Sequence, residues 1–410
     1  MNAKVTVVGI GADGWDGMAA SSQRVVRDAE VVLGGQRHLE MLPSLSAMLE
    51  PWPSPLIQGL PIVLDKYAGK RIVVIASGDP LVSGIATTLI NLLGAENVDV
   101  LPGVSSVSLA RARMGWSAES CDMVTVVGRD HDVIRRYISP GRRLVVLSSD
   151  GTSPTEIATR LVDAGFGPSR LVVLSNLGSS QERRRSTRAD AWLGERVPEL
   201  NVVCVECRPD GHKPKFLPAF TTVPGLPDDA FENDGQITRR DVRVSALARL
   251  APCPGELLWD LGAGAGSIAI EWLRSDPRCT AIAVERDDSR IDMIRHNASK
   301  LGVPDLETVH GQVPESLEGL PTPNAIFVGG GATATGAIEQ CWEALAPGGR
   351  LVVHAVTIET EAVVLEHYRR LGGELTRISV ESVGPLGGFH GWAPARAVVQ
   401  WFLSKPFEVS

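Results

Sequence analysis

The stretch Leu257-Leu258-Trp259-Asp260-Leu261-Gly262-Ala263-Gly264-Ala265-Gly266 passes from a short apolar run, through an acid, into a loop with glycine at every second position. A helical pattern, Ser267 to Arg274, follows it. Strand, tight turn and helix start are therefore expected in that order. Glycines let the backbone turn sharply and let a ligand lie against bare N–H groups. A second apolar run, Thr280 to Val284, ends in Glu285. An acid at a strand tip is placed to accept hydrogen bonds from a ribose diol. The pattern predicts a nucleotide-type cofactor. The glycines alone leave NAD, FAD, S-adenosylmethionine or a purely structural turn open.

The chain has 410 residues, which predicts two or three domains. Hydrophobic residues make up 44%, enough for ordinary cores. The net charge of −8 gives no overall basic surface for nucleic acid. The local exception, Arg183-Arg184-Arg185 with Arg188, reads as a solvated face or loop. The six cysteines are scattered. Cys204 and Cys207 sit in an apolar run that reads as a strand, where this spacing points them to opposite faces. No metal or redox site is expected, and the pattern suits a reducing, cytoplasmic setting. The chain opens on a strand-like run, Val5 to Val8, rather than a signal peptide. No apolar run reaches the ~18 residues of a membrane span.

Residues 1–208 alternate strand-like and helix-like segments. Strands are expected at Lys4–Val8, Ala29–Leu33, Arg71–Ala76, Val98–Leu101, Met123–Val127, Arg143–Leu147, Leu171–Leu174 and Asn201–Val205. Such alternation argues α/β layers. Residues 209–235 break the rhythm with Pro209, Pro214, Pro218, Pro224 and Pro227 and with Asp228, Asp229, Glu232 and Asp234, and read as a linker or wrapping segment. The rhythm restarts at 236–405, where Thr238 could cap a helix running to Leu250. Five strands follow with helices between them. Two final β runs, Leu375–Val383 and Ala397–Leu403, leave no room for a long helix and should pair antiparallel.

The loop D-x-G-x-G-x-G at Asp260 to Gly266 resembles motif I of class I S-adenosylmethionine (SAM) methyltransferases, with their seven-stranded Rossmann-like sheet. Residues 1–208 resemble the tetrapyrrole (corrin/porphyrin) methylase family, a two-lobed α/β fold. That likeness rests on Val8-Gly9-Ile10-Gly11, on Ser77-Gly78-Asp79-Pro80-Leu81-Val82-Ser83-Gly84 and on Pro102-Gly103-Val104-Ser105-Ser106. It implies SAM between the two lobes, at Gly78, Asp79, Val82, Ser105 and Ser106. Residues 236–405 resemble the decarboxylating precorrin methyltransferases through Thr238 to Arg243, the motif I loop, Gly311 to Leu317, Val328-Gly329-Gly330 and Glu359-Thr360. This implies a second SAM held by Thr238, Gly262, Ala263, Gly264, Ala265, Gly266, Glu285 and Val313. Gln312 stands where many relatives carry an acid. The fusion order is similar to the decarboxylating precorrin-6Y methyltransferase family of cobalamin synthesis. The resemblance implies C-5 methylation by the first half, and C-15 methylation with loss of the ring C acetate carboxylate by the second, giving precorrin-8.

A tetrapyrrole with acidic side chains needs cations. His354, His390, Trp392, Arg396, Arg239, Arg240 and Arg243 are the candidates, each more often a surface or core residue than a ligand group. His390, in a Gly387-to-Trp392 segment expected to be a loop, is the first choice of catalytic residue, and Arg243 and Arg396 are the other catalytic candidates. A symmetric homo-oligomer is expected. The rival readings are a cobalt-precorrin version of the same reactions, an RNA or diphthamide-type methyltransferase, and a SAM sensor without chemistry. The chain lacks the Asn/Asp-Pro-Pro-aromatic tetrad of enzymes that methylate base nitrogens.

Overall fold

In a computed structural model, residues 4–211 and 221–407 are described. Pro214 and Pro218 of the expected linker lie outside them. The chain forms two units, one spanning Met1–His131 and Ser139–Lys213, the other Asp132–Ile138 and Pro214–Ser410.

The first unit contains two sheets. Strands β1 (Val5–Ile10), β2 (Val31–Gly34), β3 (Met48–Pro51), β4 (Ile72–Ser77) and β5 (Val98–Leu101) form a parallel sheet in the order β3-β2-β4-β1-β5. Helices α1 (Ala20–Arg27), α2 (Gln36–Glu40), α3 (Leu56–Lys66) and α4 (Ile85–Leu93) connect them. Alternate residues along the strands enter opposite cores. Val7, Leu33 and Val74 pack with Leu60 and Leu89, whereas Val8, Val32 and Ile75 pack with Val26 and Leu39. Parallel strands covered on both faces read as continuous apolar runs, which is why β1, β2 and β4 stand out in the sequence, whereas the exposed edge strand β3 is not among those expected.

Helix α5 (Ser106–Met114) leads to the second sheet. Its strands β6 (Asp122–Thr125), β7 (Arg143–Leu147), β8 (Arg170–Ser175), β9 (Arg183–Arg188) and β10 (Asn201–Glu206) run in the order β6-β7-β10-β8-β9, with helix α6 (Ser153–Asp163) between β7 and β8. The arginine run is thus an edge strand, with Arg185 paired to Glu195 and Arg188 to Asp190. Charges on an edge discourage further strand addition. Burial pushes the thiols of Cys204 and Cys207 up to about 12, so neither supplies thiolate at neutral pH.

The first α-helix of the second unit is α7 (Arg240–Leu250). Its sheet contains β11 (Leu257–Leu261), β12 (Thr280–Glu285), β13 (Glu307–His310), β14 (Ala325–Val328), β15 (Arg350–Ala355), β16 (Glu374–Ile378) and β19 (Val398–Ser404). The order is β13-β12-β11-β14-β15-β19-β16, with β19 antiparallel to both neighbours. Helices α8 (Ser267–Ser275), α9 (Asp288–Lys300), α10 (Ala337–Ala344) and α11 (Ile358–Leu371) complete the layers. Leu258, Ala283 and Phe327 face α7 to α9, and Trp259, Ile282 and Val328 face the opposite core. The expected run Leu375–Val383 splits into β16 and β17 (Glu381–Leu386). The expected loop Gly387–Trp392 is a Gly-Gly turn leading into β18 (Phe389–Pro394), and β17 and β18 form a separate hairpin.

Of the linker and wrapping readings of 209–235, the described part follows the wrapping one, and only the expected Thr238 cap needs correcting. From 221 to 235 the chain belongs to the second unit: Leu226 and Phe231 are buried in its core. Thr238 does not cap α7; the helix starts at Arg240, whose N–H donates to Asp228 Oδ1 at 2.9 Å. The wrap is held by the fully buried Arg243. Its guanidinium donates to Glu271 at 2.6 Å, to Asp228 at 3.1 Å and to the carbonyls of Thr238 and Leu226, and it lies over the Phe231 ring. Glu271 in turn accepts from the N–H groups of Gly225 and Leu226. Removing one member of such a pair leaves a buried, uncompensated charge, which costs roughly 3–5 kcal/mol. Arg243→Met and Glu271→Gln should each lower stability by about that amount. The double variant should lose clearly less than the sum of the two. Urea unfolding of the four proteins checks this, and additive losses would mean the pair is not coupled.

Candidate functional site

Each unit has a cleft at the C-terminal ends of its parallel strands, where open α/β sheets bind ligands. In the second unit, β11 runs into the glycine loop and α8 starts from Gly266. Gly262 has φ +69°, and a Cβ there would stand 2.7 Å from Gly330, on the loop after β14. The glycine run 329–331 therefore lets two loops close on each other rather than only leaving open space. Glu285, at the end of β12, accepts from Gly264 N–H at 2.9 Å through Oε2 and from Arg286 N–H at 2.9 Å through Oε1. It is 4% exposed and that exposure faces the cleft. Thr238, Gly262, Ala263, Gly264, Gln312 and Val313 line the same cavity of about 1180 Å³. Ala265 and Gly266 stand behind it: Ala265 is buried, with its carbonyl taken by Asn297, and Gly266 begins α8.

Asp260, fully buried behind the loop, accepts from Ala269 N–H at 3.0 Å through Oδ2, while Oδ1 is unpaired. Burial pushes its pKa up to about 7, against the Ala269 hydrogen bond and with a further rise from Glu285. His354, at the end of β15, and Arg396 line the cavity, as do Arg239 and Arg240. Arg243 does not reach it, being committed to Glu271. His390 is on β18 paired with Pro385, near the exposed end of the hairpin, and only the hairpin base, Ser382, Ala393 and Pro394, lines the cavity. Among the expected polyanion ligands, the fold gathers His354, Arg396, Arg239 and Arg240 and leaves His390, Trp392 and Arg243 out.

In the first unit, the loops after β1, β4 and β5 meet at their backbones. A Cβ on Gly9 would stand 1.9 Å from the Gly78 carbonyl oxygen, so only glycine fits. Gly78, Asp79, Val82, Ser105 and Ser106 all line a cleft of about 320 Å³. Asp79 Oδ1 accepts from Leu81 N–H at 2.9 Å, which fixes the turn, and Ser105 Oγ caps α5 by accepting from Ser108 N–H at 3.1 Å. Sequence reasoning missed Arg37 and His38. Arg37 lines this cleft and donates to Ser77 Oγ at 3.0 Å, and His38 Nε2 lies 2.8 Å from the same hydroxyl. Burial, reinforced by Arg37, lowers the His38 pKa to about 4. The available signal was Gly34-Gly35 after an apolar run and just before the basic pair, a second strand–glycine–helix opening. Among the described residues no cluster of three or more His, Cys, Asp or Glu could hold a metal, and no helix is long and apolar enough to cross a membrane.

Two glycine-lined clefts lie on two kinds of α/β unit, and the family matches make the chain a methyltransferase with a tetrapyrrole methylase half. Residues 4–191 match the tetrapyrrole (corrin/porphyrin) methylases, and residues 229–405 match the precorrin methyltransferase domain. A precorrin-6Y C(5,15)-methyltransferase (decarboxylating) of Sinorhizobium sp. is 44% identical over 98% of this chain and 96% of its own length. The protein of the same description from Mycobacterium tuberculosis (strain CDC 1551 / Oshkosh) is 44% identical over 98% of this chain and all of its own. The crystal structure of the C-terminal domain of precorrin-6Y C5,15-methyltransferase from Rhodobacter capsulatus is 41% identical, covering 45% of this chain and all of that one with a TM-score of 0.43. The chain belongs to the precorrin-6Y C(5,15)-methyltransferase (decarboxylating) family, a SAM-dependent methyltransferase family. The second cleft fits such a cofactor: bare backbone lines the loop, and Glu285 faces the cleft with a lone pair left on Oε2, its Oε1 being taken by the N–H groups of Arg286 and Asp287.

Asp260 gives the second unit a pH signature. An unfolded Asp titrates near ~3.9, so between there and about 7 the folded protein keeps a proton that the unfolded chain has released. Stability should therefore fall as pH rises through that window and level off above about 7. Asp260→Asn should flatten this slope, as measured by urea midpoints against pH without cofactor. An unchanged slope would assign the dependence to other groups.

Proposed function

We propose that this chain methylates precorrin-6Y at C-5 with its first unit, and at C-15 with its second, where the ring C acetate is also decarboxylated to give precorrin-8. Two SAM molecules would bind, one per unit. The first would contact Gly78, Asp79, Val82, Ser105 and Ser106, and the second Thr238, Gly262, Ala263, Gly264, Glu285 and Val313, with Ala265 and Gly266 behind them shaping the loop. The observation that carries this reading is that each unit has its own glycine-built cleft at its strand ends. The larger cleft also exceeds the ~300–1,000 Å³ of an ordinary small-molecule pocket. That size supports a second, bulky occupant beside the cofactor.

When bound, SAM supplies an electrophilic methyl on a positively charged sulfur. The reduced tetrapyrrole supplies enamine-like carbons, so the protein's task in methyl transfer is to hold the two in line. Arg396, Arg239 and Arg240 are placed to take substrate carboxylates, and guanidinium forks suit that role. Burying the reacting carboxylate while its neighbours stay paired favours loss of carbon dioxide, with the electron pair left to the conjugated ring. The net acidity speaks against nucleic acid as substrate, and the buried free cysteines suit a reducing cytoplasm. The exposed Val383, Leu386, Phe389 and Trp392 of the β17–β18 hairpin support self-association.

Product masses from the whole chain with SAM and precorrin-6Y test the reading. The expected gain is two methyl groups in place of hydrogens, with one carbon dioxide lost. Gly78→Val should leave one methylation and the decarboxylation. Gly262→Val should leave a single methylation and no decarboxylation. The same change in both variants would refute the division of labour.

A further inference from the structure

The second cleft holds an imidazole whose hydrogen bonding is set by the strand register. β15 and β19 pair so that His354 stands directly opposite Gln400. His354 Nε2 lies 2.8 Å from Gln400 Oε1. The Gln400 amide nitrogen donates to Ser245 Oγ on α7 at 3.0 Å, and Arg249 reaches the same hydroxyl at 3.1 Å. With its nitrogen committed to Ser245, Gln400 turns an acceptor to the ring, so the neutral imidazole carries its proton on Nε2. Nδ1 is left as a bare acceptor, and no hydrogen bond to it forms among the described residues. Phe327 meets the ring edge-on, with centroids 4.8 Å apart, and holds its plane. Only 8% of His354 is exposed, and it lines the cleft.

The two reactions proposed for this unit have opposite proton balances. Methyl transfer forms a carbon–carbon bond, breaks the carbon–sulfur bond and releases one proton from the substrate. Decarboxylation breaks the bond to the carboxylate carbon, leaves its electron pair on the substrate and takes up one proton. Resting on the function proposed above, we propose that His354 is the proton carrier of the second cleft. Its Nδ1 takes the proton that methyl transfer releases and returns it to the carbon that loses carbon dioxide. Gln400 is the positioning residue that keeps Nδ1 toward the substrate. With methyl transfer first, the proton it releases charges the ring and decarboxylation discharges it, so the cycle closes without another acid, base or oxidant.

The electrostatics suit a base that waits neutral. Burial lowers the His354 pKa to about 4, the Gln400 hydrogen bond opposes this and Arg249 adds to it. Of the elements packed on the ring, α7 brings Arg249 and Ser245, β19 brings Gln400 and β14 brings Phe327. Glu285 and Arg396 line the same cleft. A substrate rich in carboxylates favours the charged ring and raises its affinity for a proton when it arrives.

The test uses the whole chain with SAM and precorrin-6Y, following C-5 methylation, C-15 methylation and carbon dioxide release separately. In His354→Gln, the second unit's reactions should fall about a hundredfold or more, the usual reach of general acid–base catalysis. C-5 methylation and SAM binding by calorimetry should be unchanged. In His354→Ala, added imidazole should restore C-15 methylation in proportion to its neutral form and decarboxylation in proportion to its protonated form. Gln400→Leu should shift the pH profile of the second unit's reactions and leave SAM binding intact. Wild-type rates in both His354 variants, or lost rates that imidazole does not restore, overturn the proposal. If the unmutated chain leaves precorrin-6Y unchanged, the substrate reading falls, and the proton carrier falls with it.

Discussion

The second unit depends on a charge pair that water never reaches. Arg243 and Glu271 join two helices, α7 and α8, that hydrophobic contact alone would let slide. Their remaining hydrogen bonds fall on the backbone of 225, 226 and 238, so the same two side chains fix the segment that wraps the unit. Asp228, a third member of the cluster, also lines the cleft and supplies the cap of α7. Ordering the wrap therefore orders Gln236, Thr238 and Arg239 at the cleft mouth. A buried pair is weak evidence for stability by itself. Here its value is positional, because a chain of prolines and acids has little apolar surface of its own with which to choose a path.

Both clefts rest on backbone meeting backbone, reached by different routes. In the first unit three strand ends bring Gly9, Gly78 and Gly103 together, and the opposite wall comes from the mixed sheet through Ser148, Asn176 and Asn201. In the second, a single glycine loop closes on the run after β14 and an acid comes from the neighbouring strand. In each case the side chains are cleared away so that N–H groups and a few fixed polar atoms face the ligand. Further along the strand ends polar side chains line each cleft, Arg37 with Ser77 on one side and His354 with Arg396 on the other.

Much of this was legible in the sequence because buried parallel strands write themselves as apolar runs. Strands β1, β4, β11, β12 and β15 are such runs, and the glycine loops that end β1, β4 and β11 mark the clefts. What escaped lacks that signature. α3 contains Gly59 and Pro61, which break a helical pattern, yet Leu60, Val63 and Leu64 still bury against the first sheet. β9 is nearly all arginine and is a strand only because β8 offers it an edge. The β17–β18 hairpin buries little, so its alternation has no core to answer to, and His390 looked like a loop residue within reach of a ligand. Arg243 misled for the opposite reason. Its partner Glu271 lies on another helix, and nothing local announces that a basic residue in a Thr-Arg-Arg-Asp-Val-Arg run turns inward. The pairing of His354 with Gln400 is likewise invisible until the register of β19 is known.

That register has a temporal side. β19 comes after β16, β17 and β18 in the chain, yet it inserts between β15 and β16. While the polypeptide is being made, β16 has no neighbour to pair with until residues 398–404 have emerged. The glycine loop, Glu285 and the strands around them can assemble earlier, since all of their partners precede them or follow closely. The cofactor half of the cleft can thus exist on a nascent chain before Gln400 arrives to orient the imidazole opposite. Synthesis itself would keep the machinery for binding a methyl donor ahead of the machinery for moving protons, so a partly made chain could hold the donor without being able to complete the chemistry.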